Sequence, residues 1–162
     1  MTVVSDSSPL ISLSRIGRFD FLEKCYTGIW IPEAVRSEVG AEEEMRPGAD
    51  EVRGSPWIEE KTVVDRELVA RLVQRKIGVG EAEAIALAVE TGADLLLIDD
   101  DVPRRIASEL GLPLGGTVGT LIRAKKLGLL ALIRPDLTRL RDEAGFHMSK
   151  KFFQAALEAA GE

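Results

Sequence analysis

The sequence contains a single cysteine, Cys25, and a single histidine, His147. An intrachain disulfide is therefore excluded, and we expect no zinc site, because such sites combine several cysteine and histidine ligands. The same scarcity leaves Cys-His and Ser-His-Asp catalytic sets without support. A Walker A loop and a GxGxxG motif are also missing, so no nucleotide-cradling loop is predicted. Any metal in this protein would be held by oxygen ligands.

Long hydrophobic runs and an excess of basic residues are absent as well. The apolar runs are too short to cross a bilayer and the N-terminus does not resemble a signal peptide, so we expect a cytoplasmic protein with no membrane association. The net charge of -6 argues against nucleic-acid binding through overall attraction. Basic residues nevertheless collect between Arg104 and Arg141, where either a local basic surface or ordinary solvated helix faces would explain them.

Short apolar runs alternate with helical patterns along the 162 residues, and we predict a single domain over residues 1–162 with a helical C-terminal tail at about 130–162. The alternation predicts an α/β fold with a mainly parallel sheet. Strands are predicted at 2–5, 28–31, 57–64, 93–98 and 112–114. Helices are predicted at 8–24 with a break near Gly17, 32–39, 65–76, 80–91, 102–110, 117–127, 135–143 and 149–160. The stretch 40–56, rich in proline and glycine, is predicted to be a loop.

Two of the predicted strands end in acidic residues. The strand over 2–5 runs into Asp6, and the strand over 93–98 runs into three consecutive acids at 99–101. In open parallel sheets the ligand site lies outside the carboxyl ends of the strands, so carboxylates that follow neighbouring strands converge there. Each acid taken alone also has a structural explanation, as the N-cap of the helix that follows it.

The helix predicted over 32–39 carries an acid on its buried side. With about 100° between successive residues, Glu38 falls within the apolar arc that Val35 and Val39 share. Because an unpaired buried carboxylate is costly, this position predicts a cation or a metal as partner. A salt bridge to a core-facing arginine, or an imperfect stripe at the helix end, is the structural alternative.

The helix predicted over 80–91 is apolar nearly all round except for Glu83, and Glu81 lies in its first turn, where the helix dipole alone would explain a glutamate. Four separated segments thus each deliver an acid to a strand end, a buried helix face or a helix start. Clustered carboxylates repel one another, and a hard divalent cation such as Mg²⁺ or Mn²⁺ keeps them ionised together. Such ions activate water and stabilise displacement at phosphorus, so phosphodiester hydrolysis is the predicted chemistry.

Nearly the whole chain resembles the PIN-domain superfamily, and most closely a prokaryotic branch of PIN-like nucleic-acid-binding proteins. The segments that carry the resemblance are VVSDSSPLISLSRIG, IPEAVRSEVG, GEAEAIALAVETGADLLLIDDDVPRRIASELGLPLGGTVGTLIRAKKLGLL and LTRLRDEAGFHMSKKFFQAALEAAGE. The resemblance implies a three-layer α/β/α sandwich with a mainly parallel central sheet. It also implies an acidic cluster that binds Mg²⁺ or Mn²⁺ and cuts single-stranded RNA.

The family's site residues fall on named positions of this sequence. The catalytic and metal-binding acids that the resemblance implies are Asp6, Glu38, Glu81 and Asp99, with Asp101 as a further metal ligand. Glu83 is the alternative register for the third acid, and Glu81 itself departs from the aspartate more common in the family. Ser7 and Thr117 match small polar residues that support the site. Arg104 and Arg105, which follow the acids at 99–101, are predicted to hold the RNA backbone.

The predicted function is therefore a metal-dependent ribonuclease acting on single-stranded RNA. Because many prokaryotic PIN domains are toxins, the resemblance also implies a toxin of a toxin-antitoxin pair, with a small antitoxin-like protein as partner and a homo-oligomeric assembly. The alternative is a PIN-like binding module that keeps the fold and acts through protein or nucleic-acid contacts without cleaving.

Overall fold

The computed structural model of the chain describes residues 1–40 and 48–162. The strands in these ranges are β1 (Val3–Ser5), β2 (Ile29–Pro32), β3 (Ile58–Lys61), β4 (Leu95–Leu97) and β5 (Leu114–Gly115). The helices in the same ranges are α1 (Ser7–Arg15), α2 (Asp20–Tyr26), α3 (Glu33–Gly40), α4 (Ala49–Arg53), α5 (Arg66–Gln74), α6 (Val79–Thr91), α7 (Asp101–Glu109), α8 (Thr117–Lys126), α9 (Arg134–Asp142) and α10 (Lys150–Ala159).

The five strands form one sheet in the order β3-β2-β1-β4-β5, and every neighbouring pair is parallel. The predicted parallel α/β sheet is therefore confirmed. β1 lies in the middle with β2 on one side and β4 on the other, so the strand order changes direction at β1. The register places Ser5 of β1 opposite Leu97 of β4. The crevice outside the carboxyl ends of these two strands is where open α/β sheets bind ligands.

Helices cover both faces of the sheet, which gives the predicted three-layer sandwich. α6 packs against β1, β2 and β4, and α3 and α5 lie beside it. Its residues from Ala82 to Ala88 are buried, because a helix that is apolar nearly all round is stable only when it is covered on most sides. α8 contacts β5 and packs against α1 and α2.

The predicted loop over 40–56 is wrong in one part. Residues 49–53 form the short helix α4, which packs against α3 and buries Ala49 and Val52. Gly48 precedes this helix with a φ of 96°, a left-handed conformation that glycine adopts without strain. The segment 41–47 of the predicted loop lies outside the described residues.

The C-terminal tail adds its apolar side chains to the core that the sheet and its helices share. Leu137 and Leu140 of α9 and Phe153 and Leu157 of α10 are buried in this core. α10 packs against α8. Among the helices of the two described ranges, none combines the length and the apolar character that crossing a membrane requires.

Candidate active site at the carboxyl edge of the sheet

Asp6 lies at the end of β1, at the point where the strand order changes direction. Its N–H donates to the carbonyl oxygen of Leu97 at 2.9 Å, which continues the pairing of β1 with β4 by one residue. The residue is 1% exposed. It occupies the N-cap position of α1, yet its side chain makes no capping hydrogen bond. The capping interpretation of Asp6 is therefore not supported, and its burial needs another explanation.

One carboxylate oxygen of Asp6, Oδ1, is buried without a hydrogen-bond partner among the described residues. Burial raises the pKa of this carboxyl to about 7. The N–H of Ser7 opposes the shift, while the negative charges of Glu81, Glu38 and Asp100 add to it. A buried acceptor with no donor and with acidic neighbours is costly unless a cation joins it.

Glu38 reaches the same place from α3. Its Oε2 accepts a hydrogen bond of 2.8 Å from the hydroxyl of Ser7. Its carboxyl group also lies directly against the backbone of Gly80 in the first turn of α6, where a β-carbon would collide with it. The acid predicted on the apolar side of this helix thus points toward Asp6, and one of the two predicted supporting residues, Ser7, contacts it.

Glu81 comes from the first turn of α6. Its Oε1 accepts a hydrogen bond of 2.9 Å from the N–H of Gly78, the N-cap of the helix. Burial raises the pKa of Glu81, and a hydrogen bond between its carboxyl group and that of Asp100 raises it further. Two carboxyl groups this close repel each other when both are ionised, and a cation between them would relieve that repulsion.

Glu83, the alternative register for the third acid, has a structural role. It is buried, and its Oε1 accepts a hydrogen bond of 3.0 Å from the N–H of Ala34. Its Oε2 pairs with the guanidinium of Arg66 at 2.9 Å. The side chain therefore ties α6 to the first turn of α3 and to α5, and the geometry favours Glu81 as the site residue.

Paired substitutions at these two glutamates separate the roles. We expect Glu83→Ala to lower the free energy of unfolding by about 1–3 kcal/mol, because the half-buried N–H of Ala34 loses its acceptor. Glu81→Gln should leave the free energy of unfolding within about 1 kcal/mol of the original, since it removes a repelling charge. Urea unfolding in EDTA measures both. A stable Glu83→Ala variant beside an unfolded Glu81→Gln variant would reverse the assignment.

Asp99 follows β4 and faces α8. Its two oxygens accept hydrogen bonds from the N–H and the hydroxyl of Thr117, at 2.8 and 2.6 Å. Burial raises the pKa of Asp99, and the bonds from Thr117 and the charge of Arg104 oppose the shift. Gly116 makes this approach feasible, because a β-carbon there would lie 2.5 Å from Asp99 Oδ1. The second predicted supporting residue, Thr117, thus contacts the acid that it was expected to support.

Asp100 is the acid that the sequence interpretation left out. It raises the pKa values of both Asp6 and Glu81, whereas Asp99 accepts hydrogen bonds from Thr117. Asp101 is exposed at the start of α7 and lines the neighbouring cleft. The three consecutive acids were visible in the sequence, but which of them faces Asp6 depends on the backbone after β4. There Asp100 is extended and α7 begins one residue later.

The two arginines predicted to hold RNA differ in their surroundings. Nη1 of Arg104 donates to the carbonyl oxygens of Ile98 and Gly115, at 2.7 and 2.8 Å, and so joins the ends of β4 and β5. These bonds occupy Arg104 in the protein itself. Arg105 is exposed on α7, and its role in substrate binding stays a prediction.

The donor set suits a hard divalent cation. Carboxylates from four segments, those of Asp6, Glu38, Glu81 and Asp100, influence one another's pKa values, and the buried Oδ1 of Asp6 has no donor among residues 1–40 and 48–162. Oxygen ligands of this kind are those that Mg²⁺ and Mn²⁺ prefer. In the present side-chain positions, no three such ligands of residues 1–40 and 48–162 lie close enough together to hold an ion. Binding would therefore draw the carboxylates inward.

The parallel sheet, its change of direction at β1 and the acids gathered there define an α/β protein with a nuclease-type fold. A family model described as a PIN domain matches residues 2–162. The chain belongs to the PIN-domain family, and the resemblance seen in the sequence is confirmed. PIN domains are generally nucleases, a class of hydrolases, and typically use divalent metal ions. No curated protein matches the chain.

Proposed function

We propose that this PIN domain is an endoribonuclease that hydrolyses phosphodiester bonds of single-stranded RNA with Mg²⁺ or Mn²⁺. The observation that carries the proposal is the buried Asp6 carboxylate, which has acidic residues around it and one oxygen that no described residue supplies with a hydrogen-bond donor. A structural role would supply a donor or a cationic side chain at this position. A bound cation explains both the missing donor and the gathering of like charges.

The side chains of the site have separate roles in holding the cation, orienting its ligands and binding the substrate. Asp6, Glu38 and Glu81 hold the cation together with Asp99 or Asp100, and Asp101 assists from the start of α7. Ser7 orients Glu38 and Thr117 orients Asp99 through the hydrogen bonds described above. Arg105 holds the RNA backbone. The cation, when bound, supplies the activation of water and the charge stabilisation that displacement at phosphorus requires.

Cation binding should stabilise the fold. We expect Mn²⁺ or Mg²⁺ at millimolar concentration to raise the melting temperature of EDTA-stripped protein, because an ion bound only by the folded acid cluster shifts the folding equilibrium by mass action. At 100 times its dissociation constant the ion would contribute about 2.7 kcal/mol. Thermal melting with and without the ion measures this, and cleavage of a labelled single-stranded oligoribonucleotide is recorded in parallel.

Two results would count against the proposal in different ways. A melting temperature that Mn²⁺ leaves unchanged would indicate that the acids bind no ion. A raised melting temperature without cleavage of any RNA would retain the metal site and remove the nuclease activity. A Glu38→Gln variant is the control, since its rise in melting temperature should be smaller while its fold is kept.

The non-cleaving binding module is the second candidate, and one observation favours it. The acids of the described residues do not stand close enough to hold an ion without movement. If the pKa values of Asp6 and Glu81 stay raised in the presence of Mn²⁺, the cluster binds no ion and the protein acts by contacts alone. We further propose that the protein is the toxin of a toxin-antitoxin pair, with a small antitoxin-like protein as partner, and that it forms a homo-oligomer.

A further inference from the structure

A cleft of about 910 Å³ opens beside the acid cluster, and we name it the tail cleft. One part of its wall carries Asp99, Asp100 and Asp101, and another part is formed by residues 144–149 and by α10. The hydroxyls of Ser8 and Ser12 on α1 add polar groups to the lining. The cleft therefore runs from the acids that follow β4 to the C-terminal tail, and its volume is that of a small-molecule site.

Phe152 presents an aromatic ring to this cleft. It is 47% exposed, although it lies on a helix whose next residue, Phe153, is buried. The guanidinium groups of Arg134 and Arg141 lie over the ring of Phe153. Within the described ranges, no ring or cation stacks on Phe152. Its face is thus available to a planar ligand.

The charges along the cleft complement a nucleic-acid strand. Acids stand at the metal end, where a cation would neutralise them. Lys150 and Lys151 are exposed and stand in sequence between two lining residues, Ser149 and Phe152. Among the ion pairs of residues 1–40 and 48–162, none includes either lysine. Phosphate groups near this part of the cleft would therefore find cations that pair with no acid of the described residues.

The wall of the cleft is held in place before any ligand arrives. Nη1 of Arg15 on α1 donates to the carbonyl oxygen of Ala144 at 3.1 Å. The N–H of Phe146 donates to the carbonyl oxygen of Leu140 at 2.9 Å, and the N–H of Phe152 donates to the hydroxyl of Ser149 at 3.0 Å. A site with a fixed wall loses less conformational entropy when it binds.

We propose that the tail cleft binds an unpaired nucleobase next to the phosphate that is cleaved, with Phe152 as the stacking platform. The inference rests on the proposed function and adds to it the origin of the preference for single strands. Every base offers a π-face for stacking, so the contact tolerates any sequence. A base inside a duplex has both faces covered by its neighbours, and duplex RNA would therefore reach the metal end without gaining this contact.

Binding of a fluorescent 12-nucleotide oligouridylate, measured with Ca²⁺ as the only divalent ion, tests the inference. We expect Phe152→Ala to raise the Kd about tenfold, which corresponds to the loss of one stacked base. Phe152→Tyr should bind like the original protein, whereas Phe152→Leu, which keeps an apolar side chain without a π-face, should resemble the alanine variant. Leu127→Ala, which removes another half-exposed apolar side chain away from the cleft, is the control and should not change the Kd. Binding of a blunt duplex RNA should be equal for all variants.

Equal binding of the oligonucleotide by Phe152→Ala, Phe152→Leu and the original protein would overturn the inference, even if Mn²⁺-dependent cleavage is found. Binding that depends on Phe152 without any cleavage would support it and remove only the nuclease activity. An original protein that binds no single-stranded RNA would overturn it and leave a protein segment as occupant of the cleft. Melting curves of the variants verify that each is folded.

Discussion

Replacing Asp6 with asparagine is expected to stabilise the metal-free protein and to abolish metal-dependent cleavage. The pKa of Asp6 is raised from 3.8 to about 7 in the fold, so ionised Asp6 opposes folding. The penalty is absent below the unfolded pKa, grows as the pH rises through the window from 3.8 to 7, and is complete above it. Its full size is about 4 kcal/mol by the relation between pKa and free energy. Asparagine carries no such penalty.

The measurement is urea unfolding in EDTA at pH 5 and pH 8. The advantage of Asp6→Asn over the original should be larger at pH 8, while the cleavage rate with Mn²⁺ should fall about 100-fold or more. Asp136 is a matched control, because it is an equally buried aspartate that pairs with Arg18 at 3.1 Å. Asp136→Asn should destabilise the fold by removing that partner. An Asp6→Asn variant that is folded and fully active would refute the proposed site.

Substituting alanine for Gly80 is expected to disable the site while the fold survives. In an ordinary helix this change stabilises by about 0.5–1 kcal/mol. Here the new β-carbon would collide with the carboxyl group of Glu38, the flexible end of a side chain that can swing away. The displaced carboxylate would leave Ser7 and Asp6, so we expect the Mn²⁺-induced rise in melting temperature to disappear and cleavage to fall about 100-fold.

Gly119→Ala provides the comparison for this variant. Gly119 lies within α8, and a β-carbon there would meet no atom within 4 Å. This variant should gain about 0.5–1 kcal/mol and keep its response to Mn²⁺. If Gly80→Ala gains the same stability and keeps the same response, Glu38 is not held where the structure places it. Combining Gly80→Ala with Glu38→Asp, whose shorter side chain avoids the collision, should recover part of the response.

The sequence predicted the strands, the helices that alternate with them and three of the interacting acids, for physical reasons that can be named. The spacing of the apolar residues and the length of the segment distinguish a buried strand such as 95–97 from an apolar helix such as 79–91. Asp6 and Glu38 were predicted because one follows a buried strand and the other falls on an apolar helix face, whereas Glu81 was predicted through the family resemblance. The helix α4 was not predicted, because the glycines and prolines around it indicate a loop more strongly than its five residues indicate a helix.

Three features of the site depend on backbone direction, which no pattern in one sequence reports. Asp100 could not be distinguished from its acidic neighbours, because the turn between β4 and α7 decides which carboxylate acts on the pKa of Asp6. Arg104 was predicted to hold the RNA backbone, and in the structure its guanidinium donates to two backbone carbonyl oxygens. The tail cleft is formed by helices that are remote in sequence, and Phe152 belongs to no sequence pattern that indicates a ligand.

β1 gains its neighbour β4 only when most of the chain exists, since Thr2 and Asp94, whose hydrogen bond joins the two strands, are 92 residues apart. During synthesis the N-terminal part leaves the ribosome first, and long-range strand pairing is slow compared with local helix formation. A nascent chain that ends before β4 carries Asp6 and Glu38 but lacks Asp100. The proposed acid cluster would therefore be incomplete until β4 and the residues that follow it have been made.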